Sequence, residues 1–378
     1  MPIPLLDLQR VHRPLLDQMV AAVRQVLESG QFILGPGVAA FEEAAASYLG
    51  VPHAIGVSSG TDALRATLSV LAMTGKKGTV LTTPYTFIAT AEAISQAGLV
   101  PRFVDVDVHT GLLDLGALPD EPEDIVGIVP VHLFGQCVPM DPLMEYARAR
   151  GMWVVEDSAQ SFGATWKGVQ SGAIGAAGCF SFFPSKNLGG AGDGGLVTTC
   201  DDELAKYVRA SRAHGVLTRK YYSDFLSGNY RLDALQAAIL SVKLPHIDEW
   251  NRARLKVADR YLELWEESGL LRKGLVRPLA RVEGSSHVFH QYVVRVARRD
   301  VVAQALSRAG IACAVYYPAP LHVQDAFAYM GHEPEDFPAS MELARTTLAL
   351  PIFPGLTLAE QKEIVNCVAT CLRVPESA

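Results

Sequence analysis

Lys186 stands in the run Ser181-Phe182-Phe183-Pro184-Ser185-Lys186-Asn187-Leu188-Gly189-Gly190, which leads into Gly192-Asp193-Gly194-Gly195. Upstream, Val154-Val155-Glu156-Asp157-Ser158-Ala159-Gln160 is an apolar strand end that delivers an acid. A lysine in a loop of small residues, with an acid at the mouth of a strand, is the pair that pyridoxal phosphate (PLP) requires. The lysine holds the aldehyde as a Schiff base, and the acid keeps the ring nitrogen protonated, which makes the ring an electron sink. Lysine ordinarily titrates at about 10.4. Once substrate displaces it, the free amine can carry a proton between the substrate carbon and the cofactor's C4′ carbon. A solvated surface lysine is the alternative, and it fits poorly with apolar and glycine-rich neighbours. Asp157 sits where α/β proteins place ligand-binding residues, although a helix N-cap aspartate would look the same. Gln160 is placed to donate to the phenolic oxygen of the cofactor.

Three further segments carry candidate chemistry. Ser58-Ser59-Gly60-Thr61-Asp62 follows a strand and opens a helix, where free amides and the helix dipole favour a phosphate. Gly60 lets the backbone approach, and Thr61 adds a hydroxyl. An ordinary capping box, Ser59 to Asp62, is the better explanation of the segment taken by itself. Beside Asp157 and Lys186 the phosphate reading is preferred. In Thr86-Phe87-Ile88-Ala89-Thr90, Phe87 is the candidate to stack on a flat heterocycle, although a lone Phe is usually core. In Gly228-Asn229-Tyr230-Arg231-Leu232-Asp233, Asn229 is placed to donate to phosphate and Arg231 offers a fork for a carboxylate. A loop and a first helical turn explain that segment as readily. Gly35-Pro36-Gly37 lacks the third glycine and later acid of a dinucleotide fingerprint and is rejected as one.

These residues need strands to carry them, and the chain has the material. Of its 378 residues, 49% are hydrophobic and 19% charged, enough for a large buried core. Strand-like apolar runs at 54–57, 79–81, 100–106, 125–129, 153–155, 179–182 and 195–198 alternate, in the earlier part, with helices. Runs apolar on both faces predict a mostly parallel central sheet flanked by helices. Helical spacing covers 15–27 and 38–49, then 231–243 and 247–265, broken at Pro245. Beyond residue 288 the texture becomes α+β: a strand over 289–296, a helix over 301–309, a short strand over 312–315 and final helices ending near Leu372. The expected division is a large α/β domain, 1–245, and a connecting helix with a small α+β domain, 246–378. The tail, 375–378, is expected to fray.

The formal net charge of −7, with scattered Lys and Arg, argues against a nucleic-acid face. The six cysteines form no CxxC pair and no zinc set, so they read as free thiols in a reducing compartment. No apolar run reaches membrane-spanning length, and a cytoplasmic protein is expected.

Taken together, the segments resemble the DegT/StrS family of nucleotide-sugar aminotransferases, within the fold-type I PLP enzymes. The resemblance runs almost end to end. Its specific pieces include Gly30-Gln31-Phe32-Ile33-Leu34-Gly35-Pro36, Ser59 through Leu64, Pro130-Val131-His132-Leu133-Phe134-Gly135-Gln136, Glu156 through Gln160, Ser181 through Gly189, Gly192 through Gly195, Asn229 through Gln236, and Tyr317-Pro318-Ala319-Pro320-Leu321-His322. It implies that Lys186 is the Schiff-base lysine and Asp157 the pyridinium partner. It also implies that Gly60, Thr61 and Ser181 bind phosphate, joined by Asn229 from the other subunit of a homodimer with shared sites. Phe87 would stack on the ring, and Gln160 would face the phenolic oxygen. Arg231 would meet the carboxylate of the amino donor, while Tyr316, Tyr317 and His322 shape the sugar pocket.

Relatives often carry His-Tyr-Pro at Tyr316-Tyr317-Pro318 and Asn-His-Gly at Ala213-His214-Gly215; both differences lie on the expected substrate side. A dehydrating branch carries histidine at the lysine position, and Lys186 argues against it. The resulting expectation is a PLP-dependent aminotransferase passing the amine of L-glutamate to a nucleoside-diphosphate-linked keto-sugar, with amination at the 3-position. Amination at C4 or of an inosose, or a PLP-binding sensor without turnover, are the alternatives.

Overall fold

The computed structural model describes residues 2–75, 77–120 and 124–373, so the tail 375–378 lies outside the described residues. Helices α1 (Leu8–His12), α2 (Leu16–Ser29) and α3 (Pro36–Leu49) come first. Next come β1 (His53–Val57), α4 (Gly60–Thr74), β2 (Thr79–Thr82), α5 (Ala89–Gln96), β3 (Val100–Phe103), β4 (Ile125–Ile128), α6 (Met140–Ala149) and β5 (Trp153–Asp157). The hairpin of β6 (Thr165–Trp166) and β7 (Val169–Gln170) precedes β8 (Ala177–Ser181), β9 (Gly195–Thr199), α7 (Asp202–Ser211), α8 (Ala234–Lys243) and α9 (Ile247–Ser268). β10 (Val276–Pro278), β11 (Tyr292–Val296), α10 (Arg299–Arg308), α11 (Pro338–Thr346), β12 (Thr347–Leu350) and α12 (Leu358–Arg373) follow.

Seven strands form one sheet in the order β1-β9-β8-β5-β4-β2-β3. β8, β5, β4, β2 and β3 run parallel, while β9 is antiparallel to both neighbours. The mostly parallel sheet expected from the apolar runs is therefore present, with one reversed strand beside the lysine loop. The runs are apolar throughout because both faces are covered. Val154 and Val155 are successive in β5 yet enter different core clusters, one with Leu143 of α6 and the other with Leu64 of α4 and Val208 of α7. That is the alternation that strand geometry imposes.

A second, antiparallel sheet of β10, β11 and β12 packs against α9, α10 and α12 through Val257, Tyr261, Val294, Leu306 and Ile364. The strand expected over 312–315 does not form. Its hydrogen bonds are split: Ala312 donates to Ile3 and Ala314 pairs with Ala349, so no continuous ladder develops. The helix expected from residue 231 begins at Ala234, because Arg231 pairs with Val57 and Asp233 caps the helix by accepting from the Gln236 amide (2.9 Å). Among the described residues no helix is long and apolar enough to cross a membrane.

Candidate active site

β5 ends on Asp157, and β8, its parallel neighbour, ends on Ser181. The connection from β8 to the reversed β9 carries Lys186. Three sequence-predicted groups thus meet at the carboxyl ends of adjacent strands, the edge where open α/β sheets bind ligands.

Asp157 is buried. Its Oδ2 accepts from Thr90 Oγ1 (2.7 Å), and its Oδ1 accepts from the Ala159 amide (3.2 Å). Burial pushes its carboxyl above the usual aspartate range, against the opposing pull of Thr90, the Ala159 amide and the nearby Lys186. A cation in contact with it would reverse that penalty. The Lys186 amine is pulled down to about 8 by burial, with Asp157 acting in the opposite direction. The Lys186 Nζ makes no hydrogen bond among the described residues, which leaves it available as a nucleophile. The Lys186 amide donates to the Phe183 carbonyl (2.8 Å) and the Gly190 amide to the Phe182 carbonyl (2.7 Å), so the loop is a closed turn.

The neighbouring Glu156 points away into the core. Its carboxylate accepts from His132 Nε2 (2.9 Å) and from the amides of Gly172 (2.9 Å), Ile174 (2.8 Å) and Gly175 (2.7 Å). Burial alone would raise its pKa, but the His132 bond and the amides outweigh it and hold the group below the ordinary value. The Val138 amide donates to His132 Nδ1 (3.2 Å), which fixes the proton on Nε2. His132 in turn donates its own amide to the Asp157 carbonyl (3.0 Å). The buried pair therefore holds the strand end that presents Asp157.

At the mouth of α4, Ser59 caps the helix by accepting from the Asp62 amide (3.0 Å), and the Asp62 carboxylate accepts from both the Ser58 (2.6 Å) and Ser59 (3.0 Å) hydroxyls. Only the N-cap half of the expected capping box forms, because Asp62 takes the two serine hydroxyls in place of the Ser59 amide. It uses neither the Gly60 nor the Thr61 amide, and amides of a first helical turn have no intrahelical acceptor. Gly60 packs directly on Ser181: an added Cβ would lie 2.7 Å from the Ser181 Cβ. Gly195 is similarly constrained, since its Cβ would lie 2.2 Å from the Ser59 carbonyl oxygen. Two small residues thus let β8, β9 and the α4 terminus close into one cradle of donors. An amide pair, a hydroxyl, an unpaired amine and a buried acid whose ionised form lacks a cation are the donor set that PLP fits.

Phe87 is 56% exposed although the segment from Val80 to Thr86 is buried, so its face is open for stacking. Its ring lies 6.4 Å from that of Tyr317. Gln160 accepts from the Phe134 amide (2.7 Å) and donates through Nε2 to the Tyr317 hydroxyl (3.2 Å), which leaves one amide proton for a further acceptor. Tyr317 also packs edge-on to Tyr85, whose hydroxyl donates to the Tyr316 carbonyl (2.6 Å). Tyr316 borders a cavity of about 50 Å³ with Ser185, His290 and Gln291. The buried His290 is held neutral, well below its ordinary pKa, by burial and by nearby Lys186 and Arg254.

His322 stands apart from this cluster. Its ring packs on Phe337 (4.8 Å), both ring nitrogens lack hydrogen-bond partners, and among the described residues it makes no hydrogen bond or ring contact with another predicted site residue. Arg231 is half-buried beside Val57, and its Nε has no partner. The adjacent Tyr230 carbonyl accepts from the Ser58 amide (2.9 Å), which ties this segment to the α4 cradle, while Asn229 is exposed. Sequence reasoning missed Thr90, His132 and Glu156. Thr90 lay in the segment singled out for Phe87, and its spacing from Thr86 was the available signal. His132 and Glu156 gave none, because their pairing joins residues from different strand ends.

A sequence profile of the DegT/DnrJ/EryC1/StrS aminotransferase family matches residues 15–369. A pleiotropic regulatory protein of Geobacillus stearothermophilus is 41% identical over 99% of this chain and 99% of its own. A UDP-N-acetyl-3-dehydro-alpha-D-glucosamine 3-aminotransferase of Acidithiobacillus ferrooxidans is 40% identical over 98% of this chain and 97% of its own. The crystal structure of Streptomyces venezuelae DesV in complex with a ketimine intermediate superposes with a TM-score of 0.92 at 34% identity, covering 99% of both chains. With the profile match across nearly the whole chain, the mostly parallel sheet and the lysine loop between β8 and β9, the chain belongs to the DegT/DnrJ/EryC1/StrS aminotransferase family.

Proposed function

We propose that this aminotransferase uses PLP to move an amino group from L-glutamate to a nucleoside-diphosphate-linked 3-keto-sugar. The observation that carries the reading is the convergence of Lys186, Asp157 and the Gly60–Ser181 cradle on one strand edge. The Acidithiobacillus relative, named for a 3-keto UDP-sugar, supports the sugar and its position. PLP bound here would supply an aldehyde and an electron-accepting ring.

Each side chain has a distinct task. Lys186 offers an amine whose lowered pKa keeps much of it neutral near physiological pH, so it can attack a carbonyl and later hold or move a proton at Nζ. Asp157, held by Thr90, receives a protonated ring nitrogen. Gly60, Thr61 and Ser181 donate to phosphate. Phe87 offers the exposed ring face, and Gln160 the remaining amide proton. Arg231 binds the donor carboxylate, while Tyr316 and Tyr317, uncharged and hydrogen-bonding, suit sugar hydroxyls. His322, whose ring packs on Phe337, shapes the sugar pocket through the segment that carries it.

The working unit is a homodimer in which Asn229 reaches the partner subunit's cofactor phosphate. Its exposure, and the exposed apolar Leu16, Val20 and Leu27 of α2 with Phe32 and Ile33, support this. Mixing inactive Lys186→Ala chains with Asn229→Ala chains tests it: mixed dimers in which the Asn229→Ala chain works no better than in its own homodimer refute the shared site.

The function is tested by following cofactor absorbance with L-glutamate, then adding a panel of keto-sugar nucleotides. Conversion by glutamate and regeneration by a 3-keto substrate is the expected result. A protein that binds PLP but completes neither half-reaction is a sensor, a reading that the regulatory name of the Geobacillus relative keeps in view.

A further inference from the structure

Lys243, the last residue of α8, is fully buried, and no step of the transfer uses it. A buried ammonium needs acceptors. Lys243 has two: its Nζ donates to the Gly189 carbonyl and to His12 Nε2 (2.9 Å) of α1. Burial lowers its pKa to about 8, and the same burial, with the Lys243 charge, lowers His12 to about 4. The lysine is thus the cation and the histidine the neutral acceptor, which is the assignment the hydrogen bond requires.

Gly189 lies three residues beyond Lys186, in the turn closed by Gly190 and Phe182. The same turn has a second buried anchor one residue after Lys186. Asn187 Nδ2 donates to Asn251 Oδ1 (2.7 Å) of α9 and to the Val288 carbonyl (3.0 Å). A cavity of about 10 Å³ has Lys186, Asn187, Lys243, Trp250 and His12 in its wall, so both lysines border one small space.

We infer that Lys243, with His12 as its second acceptor, is a positioning residue for Lys186: it pins the Gly189 carbonyl and thereby aims the amine at the cofactor aldehyde. The inference rests on the proposed role of Lys186. Lys243→Met keeps an unbranched side chain, one atom shorter, and removes every donor. Gly189 then loses its only side-chain donor among the described residues, and the loop is free to shift. A displacement near 1 Å at a reacting group costs about 100-fold in rate.

The test uses the full-length protein stripped of cofactor. Condensation with PLP, read by absorbance, is expected to slow at least tenfold in Lys243→Met. Binding of pyridoxamine phosphate, which needs the cradle but not the amine, should stay within twofold. In turnover, kcat should fall while both KM values stay within threefold. Unchanged condensation overturns the inference, as does equal weakening of pyridoxamine phosphate binding, which would mark a general structural role. If Lys243→Met does not fold, His12→Leu serves instead. It removes one acceptor only and should slow condensation about threefold, and a wild-type rate there also overturns the inference. If the wild-type protein itself never condenses with PLP, the proposed role of Lys186 fails first, and the two failures are told apart.

Discussion

Glu156→Gln removes a buried charge whose bonds all run to His132 and three backbone amides, and its cost can be worked from the geometry. Four N–H groups converge on the carboxylate, two on each oxygen: His132 Nε2 and Gly172 on Oε2, Ile174 and Gly175 on Oε1. A glutamine can accept on one oxygen only. Its NH2 would face either the first pair or the second, leaving two buried donors without an acceptor. His132 cannot escape by moving its proton, because Nδ1 already accepts from Val138. Each orphaned buried donor costs about 1–3 kcal/mol, so two cost about 2–6 kcal/mol. We therefore expect a loss of roughly 2–6 kcal/mol in urea unfolding of the apo-protein at neutral pH and fixed protein concentration.

The difference should shrink in acid. Glu156 titrates below its ordinary value of 4.5 in the folded state, so its stabilisation is complete above the unfolded pKa and is lost as the pH falls through the folded one. A loss below about 1 kcal/mol at neutral pH, or a gap that widens in acid, would refute the reasoning.

The remaining predictions concern the chemistry. In the apo-protein the rate of acylation of Lys186, read by peptide mapping, should rise through a midpoint near pH 8, not near 10.5. Asp157→Asn removes the charge that raises this pKa, so the midpoint should move to lower pH; a shift upward counts against the pairing. The same variant should fold and lose at least about tenfold in single-turnover rate, since a charge-assisted hydrogen bond is worth roughly 1.5–3 kcal/mol. Arg231→Lys keeps charge but not the fork and should slow conversion by glutamate, whereas Tyr317→Phe should mainly impair the keto-sugar half-reaction. Separate measurement of the two half-reactions decides between these effects.

The parts of the site readable in sequence were those built from contiguous residues. The α4 mouth, the strand end at Asp157 and the lysine loop each lie within one short segment, so residue type and local spacing suffice. The parts that escaped are held together across the chain. Thr90 meets Asp157 over 67 positions, and Tyr317 meets Gln160 over 157. Lys243 meets His12 over 231. His322 shows the converse: its neighbourhood to Tyr317 in sequence suggested a shared pocket, but its ring turns into the Phe103–Phe337 cluster. The strand expected over 312–315 failed for a related reason, because a short apolar run does not reveal that its hydrogen-bonding partners come from Ile3 and Ala349 separately. Likewise β9 reads like its neighbours, since a buried strand is apolar in either direction.

Reduction of the PLP-loaded protein with borohydride, followed by peptide mass mapping, asks which amine holds the cofactor. The added pyridoxyl phosphate mass should fall on Lys186 alone and disappear in Lys186→Ala, together with turnover. The protein offers a built-in control in Lys243, a second buried lysine also lowered to about 8 but already engaged by His12 and Gly189. Label on Lys243, on any other lysine, or on none would contradict the assignment of Lys186.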